Sequence, residues 1–177
     1  MPSEHSVLFH GSVVQVITPD PSVGADRKDF GRGFYTTPDR GQAEKFARLK
    51  ARRAGTHQGW VSVYDYRGAA GLQTRTFSSA NPDWFNFVLG HRGYDSLVGA
   101  GDMDTYDIVV GPVADDAVGL VLNQFVVGTY GDPHTGEARS TAIRLLLTQR
   151  LRTQVFFGTA KAVARLSFRE AYGVPVD

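Results

Sequence analysis

"VLFHGS", residues Val7 to Ser12, runs apolar for three residues and then places an imidazole directly before a residue without a side chain. The length and the apolar start suit a short buried strand. The ending does not, because a strand buried on both faces would not normally close on His10 and Gly11. Three readings of His10 follow from that pattern. It packs in the core, it ligates a metal, or it belongs to a site that receives a ligand's polar groups.

Outward from this strand, "TPDPSVGADRKD" (18–29) is rich in Pro, Gly and Asp and reads as a loop. "FGRGFYTT" (30–37) begins with a glycine hinge and ends in aromatic and β-branched residues, which suit a strand. Pro38 and Asp39 then open a helix through about Ala54, with Ala43, Phe46, Ala47, Ala51 and Ala54 near the 3.6-residue period. "GWVSVYDYR" (59–67) alternates as a half-buried strand does. "NPDWFNFVLGHRG" (81–93) reads as a helix, Asn81 capping it and Pro82 in its first position.

"YDIVVGPVA" (106–114) is an apolar run of strand length, followed by an apolar segment to about Val127 and a polar loop, "GTYGDPHTGEAR". "STAIRLLLTQRL" (140–151) reads as a helix capped by Ser140 or Thr141. "QVFFGT" (154–159) reads as a strand, and "AKAVARL" as a short helix. Strands and helices do not alternate regularly, and neither G-x-G-x-x-G nor a phosphate-binding loop motif is present. The fold class expected is α+β, in a single domain spanning 1–177.

Composition narrows the function. Hydrophobic residues make up 42% and charged residues 21%, as in ordinary globular chains. A formal net charge of +1 gives no global attraction to nucleic acid or membranes. The chain has no cysteine, which excludes thiol nucleophiles, disulfides and thiolate metal sites. The N-terminus lacks a basic segment ahead of a long apolar core, and no apolar run is long enough to span a bilayer, so a cytoplasmic protein without membrane contact is expected.

The five histidines (5, 10, 57, 91, 134) form no i, i+4 pair, and no metal site is expected. The paired acids of "ADD" (114–116) read as a cap of the next segment. The basic run between 40 and 53 places Lys45, Arg48 and Arg52 on one face, read as a solvated helix surface in preference to a nucleic-acid or acidic-partner patch. Two pieces remain, "FHGS" (9–12) and "DFGRGFYTT" (29–37). Their glycines let backbone groups approach a ligand, and Tyr35 offers a flat face.

The conjunction of these pieces resembles the His–Tyr–Glu branch of the ADP-ribosyltransferase superfamily. More closely, "FHGS" (9–12), "DFGRGFYTT" (29–37), "QAEKFA" (42–47), "YDIVVGPVADD" (106–116) and "QVFFGT" (154–159) resemble, in order, the motifs of a bacterial domain family of small toxins, often paired with antitoxins. The resemblance implies a split, mostly antiparallel β-sandwich with small helices. It implies NAD as substrate, a macromolecular acceptor (protein or nucleic acid) and a cognate antitoxin. His10 would bond the adenosine ribose, Gly11 would hold the nicotinamide carboxamide through its backbone, and Tyr35 would stack on the nicotinamide ring. Gln154 would take the third position, Ser12 and Phe34 would complete the cofactor-binding wall, and Asp29 and Arg32 sit close in sequence without an assigned role.

The chemistry implied is cleavage of the nicotinamide–ribose bond through an oxocarbenium-like state, by a glycosyltransferase-class mono-ADP-ribosyltransferase. At the third position the His–Tyr–Glu branch carries Glu or a substitute, and this chain carries Gln154, which keeps the hydrogen bond and loses the charge. A unit charge at about 5 Å, with an effective dielectric near 20, is worth roughly 3 kcal/mol, on the order of a hundredfold in rate. Asp115, Asp116 and Glu137 are the acids available to offset that loss. Gln149, in a helical run, is the alternative for the third position. Two other functions stay open: NAD breakdown by water or phosphate, and a catalytically inactive domain that binds NAD or a partner.

Overall fold

The computed structural model describes residues 2–99, 105–112, 116–147 and 151–176. Its strands are β1 (Val7–Ser12), β2 (Phe34–Thr36), β3 (Gln58–Tyr66), β4 (Thr74–Thr76), β5 (Ile108–Pro112), β6 (Thr153–Phe157) and β7 (Leu166–Pro175). Its helices are α1 (Arg40–Ala54), α2 (Pro82–His91), α3 (Asp116–Val126), α4 (Gly136–Leu147) and α5 (Ala160–Val163). The class is α+β, with two sheets and five helices among the described residues.

One sheet has the order β1-β3-β7 and the other β2-β6-β5-β4, with β4–β5 the parallel pair and the other pairings antiparallel. Side-chain alternation sorts the residues into layers. Leu8, Phe34, Tyr64, Tyr66, Ile108, Val110, Val155 and Phe157 pack together between the sheets. Val61, Val63 and Val174 turn the other way, onto Ala43 and Ala47 of α1. The outer face of the second sheet, with Val109 and Phe156, buries Trp84, Phe85, Leu122, Phe125 and Leu146 from α2, α3 and α4.

Helix α1 begins where its cap dictates. Asp39 accepts from the Gln42 N–H at 2.9 Å, and Gly55 ends the helix in the left-handed conformation at φ 67°. Pro38, read as part of the first turn, lies ahead of this cap. Its alanine stripe lets the helix lie almost backbone-to-backbone on the sheet: a Cβ on Gly11 would sit 2.2 Å from the Ala43 carbonyl oxygen, and one on Gly59 2.5 Å from that of Ala47. Those two strand glycines are therefore required by packing.

Asn81 caps α2 by accepting from the Trp84 N–H at 2.9 Å, with Pro82 in the first position as expected. The expected start of the last long helix needs correction. It begins at Gly136, because Thr135 Oγ1 accepts from the Ala138 N–H at 3.3 Å. Ser140 and Thr141 are interior, their hydroxyls donating back to the carbonyls of Gly136 and Glu137. The apolar segment that runs to about Val127 forms helix α3. Of the strand read over 106–114, the described part is Ile108–Pro112; residues 113 and 114 lie outside the described residues.

Candidate functional site

The two sheets meet at the edges of β1 and β2, joined by reciprocal backbone bonds between Phe9 and Thr37 (2.8 and 2.9 Å). A cleft of roughly 390 Å³, including its open mouth, lies at this seam. Strand β1 contributes Phe9, His10 and Gly11 to it, and Tyr35 and Thr36 of β2 are continued by Thr37. Gln42, Ala43, Phe46 and Lys50 come from α1, and Gln154 from β6. Four candidates separated by up to 144 positions, His10, Gly11, Tyr35 and Gln154 (154 − 10), thus share one cavity.

His10 is held at a definite tautomer. Its Nδ1 lies 2.6 Å from the Tyr35 carbonyl oxygen, which only accepts, so Nδ1 carries the proton and Nε2 is an acceptor. Phe34 lies behind the ring with its centroid 4.4 Å away. Burial, and next the nearby Lys50 ammonium, push the imidazole down to about 3 against the Tyr35 bond, which favours the protonated form. At neutral pH the ring is uncharged.

Gly11 faces α1, and its carbonyl oxygen accepts from Lys50 Nζ at 2.8 Å. Lys50 carries the only formal charge among the described residues that line the cleft. Among the described residues it has no carboxylate within ion-pair distance. Burial, and next the like charge of Lys28, lower it to about 8. Sequence reading missed this residue. Its signal was a lysine one turn beyond Phe46 and three residues beyond Ala47, inside the stripe that faces the sheet.

The Tyr35 ring is half-buried against Phe156 (centroids 5.0 Å apart) and Phe30 (6.4 Å). Its hydroxyl donates to the Gly31 carbonyl at 2.6 Å and accepts from the Phe30 N–H at 3.1 Å. Burial raises the phenol well above its ordinary range, so the hydroxyl stays protonated.

Gln154 sits on the same face of the second sheet as Tyr35, because Tyr35 pairs with Phe156 two residues along β6. It is buried, and its Nε2 donates to Asp29 Oδ2 at 3.1 Å and to the Pro112 carbonyl at 3.4 Å. Asp29 is itself buried, its Oδ1 accepting from Arg92 Nε (2.9 Å) and Nη2 (2.6 Å). Among the described residues the acid beside the third position is Asp29, from the loop before β2. Glu137, offered earlier, is exposed in the first turn of α4, and Asp115 and Gln149 lie outside the described residues, as does the side chain of Asp116. Arg92 carried no sequence signal, since only the fold brings the end of α2 to this loop.

Ser12 and Phe34 do not line the cleft: Phe34 packs between the sheets behind His10, and Ser12 pairs with Trp60 at the end of β1. Arg32 is exposed and paired with Asp26 at 2.6 Å. On α1, Arg40 and Arg48 flank Glu44 (3.1 and 3.9 Å). No group of three or more potential metal ligands occurs among the described residues, and no helix there is long and apolar enough to cross a membrane.

Comparison with known families matches residues 6–168 to the family described as "Protein of unknown function (DUF3990)". No curated protein and no solved structure matches the chain.

Proposed function

The chain belongs to that family, and we propose that its cleft binds NAD, cleaves the nicotinamide–ribose bond and transfers ADP-ribose to a macromolecular acceptor. In this reading the protein is a mono-ADP-ribosyltransferase with the split β-sandwich of that superfamily, and the toxin of a bacterial toxin–antitoxin pair. One observation carries it: His10, Gly11, Tyr35 and Gln154, the residues of the motif resemblance, line a single cleft although they come from three strands of two sheets.

The chemistry of each group fits a role. Nε2 of neutral His10 accepts a ribose hydroxyl's proton in a hydrogen bond. The Tyr35 ring supplies a stacking face and stays uncharged. Lys50, with ammonium protons beyond the one given to Gly11, meets the substrate's pyrophosphate. The scissile C–N bond breaks as nicotinamide takes its electron pair, and the acceptor's nucleophile forms the new bond to the ribose carbon.

Purified protein incubated with labelled NAD should release nicotinamide and place the label on protein, RNA or DNA. Expression should slow growth, and Tyr35→Ala should abolish both effects. Absence of release with every acceptor class, together with normal growth, overturns the reading. Release of free ADP-ribose or its phosphate without labelled target indicates hydrolysis or phosphorolysis instead. The Gly11 carbonyl, occupied by Lys50, favours a second reading, binding without turnover; calorimetric NAD binding with no product identifies it.

The lowered Lys50 gives the binding a pH signature. The protonated lysine is the form that attracts an anion, so NAD affinity should fall as pH rises through about 8. Lys50→Met should weaken binding about ten- to a hundredfold at pH 7 and flatten this dependence, as measured by titration calorimetry.

A further inference from the structure

A glutamine carboxamide has one donating and one accepting end, and its surroundings decide which end faces the ligand. At Gln154 both recorded partners, Asp29 Oδ2 and the Pro112 carbonyl, are acceptors. Nε2 is therefore turned away from the ligand space, and Oε1 has no hydrogen-bond partner among the described residues. Asp29 is fixed in turn by two Arg92 donors from the end of α2. The residues after Asp29 hold the Tyr35 hydroxyl, through the Phe30 N–H and the Gly31 carbonyl. One short loop thereby sets both the Tyr35 ring and the Gln154 carboxamide.

We propose that Asp29 is a positioning residue of the cleft: it locks the Gln154 carboxamide with its oxygen presented to the ligand, and so makes glutamine, not glutamate, the residue that fits position 154. A glutamate there would set its oxygens against a carboxylate and a carbonyl, two groups with no proton to give. It could remain only by taking up a proton itself. The ligand group that meets Gln154 is by the same argument a hydrogen-bond donor, and a sugar hydroxyl fits. This last step rests on the NAD reading; the locking of the carboxamide does not.

The test is a double-substitution cycle with two separate readouts. In Gln154→Glu the folded protein should favour the protonated acid, so its unfolding midpoint should fall as pH rises from about 5 to 8, relative to the unsubstituted protein. In Asp29→Asn/Gln154→Glu the asparagine donates to the new carboxylate, and that extra pH dependence should vanish. NAD cleavage at pH 8 should drop at least tenfold in Gln154→Glu and recover at least in part in the double variant. An unchanged pH profile in Gln154→Glu, or strictly additive effects, overturns the proposal.

The unsubstituted protein gives a check that no folding defect can obscure. In NMR spectra the Gln154 Hε protons should be protected from exchange with solvent and shifted from the positions of a free glutamine amide, whereas rapid solvent exchange at free-amide shifts overturns the proposal. If the unsubstituted protein cleaves no NAD, the reading of function fails while the stability cycle and the NMR signals still decide the role of Asp29.

Discussion

At the scale of single residues, His10 shows how environment fixes a group's chemistry. The Tyr35 carbonyl selects its tautomer, and burial with the Lys50 charge keeps it neutral. Its pKa is depressed on folding, so the stability tied to the neutral ring is present above the unfolded value near 6.5 and is lost as pH falls toward about 3. Unfolding midpoints measured from pH 7 to 3 should therefore fall less steeply in His10→Gln than in the native chain. Much at this scale was legible in the sequence, because an imidazole and a bare glycine at a strand's end are unusual neighbours. Asp29 was legible as a neighbour in sequence but not as a partner of Gln154, since the 125 positions between them are closed only by the folded sheet. Arg92 was beyond reach for the same reason.

Helix α1, read as a surface element with a basic face, has two functions at the scale of secondary structure. On its outer face Glu44 lies between Arg40 and Arg48, and Lys45, Arg52 and Arg53 are exposed. The opposite face rests on Gly11 and Gly59 and carries Phe46 and Lys50 to the cleft. Gly11 was expected to owe its lack of a side chain to a ligand, yet the Ala43 carbonyl already explains it. Gly11→Ala should therefore cost about 1–3 kcal/mol or more in denaturant unfolding even without ligand. A loss seen only in NAD binding, with stability intact, would contradict this packing account.

At the scale of the whole molecule, the α+β class was readable from the irregular order of elements, whereas the strand neighbours were not. Strand β7 escaped notice because "LSFREAYGVP" mixes charged, aromatic and glycine residues, the pattern of an outer strand exposed on much of its surface. It nevertheless pairs with β3 from Gln58 to Tyr66. Strand β4, at three residues, is too short to leave a periodicity. The helix α4 boundary was misplaced because a Gly-Glu start after Thr135 looks like a loop until the threonine is seen as a cap.

The seam between the sheets has a mechanical consequence. Where β1 meets β2, two backbone bonds between Phe9 and Thr37 hold the edges together beside an open space. A molecule filling that space touches His10 of one sheet and Tyr35 and Gln154 of the other, and so acts as a clasp across the joint. Breathing of the joint should then be damped by whatever occupies it. Deuterium uptake at the amides of Phe9 and Thr37 should slow when a true ligand is added, while amides deep in β3 stay unchanged, which makes these two positions a label-free sensor for ligand discovery.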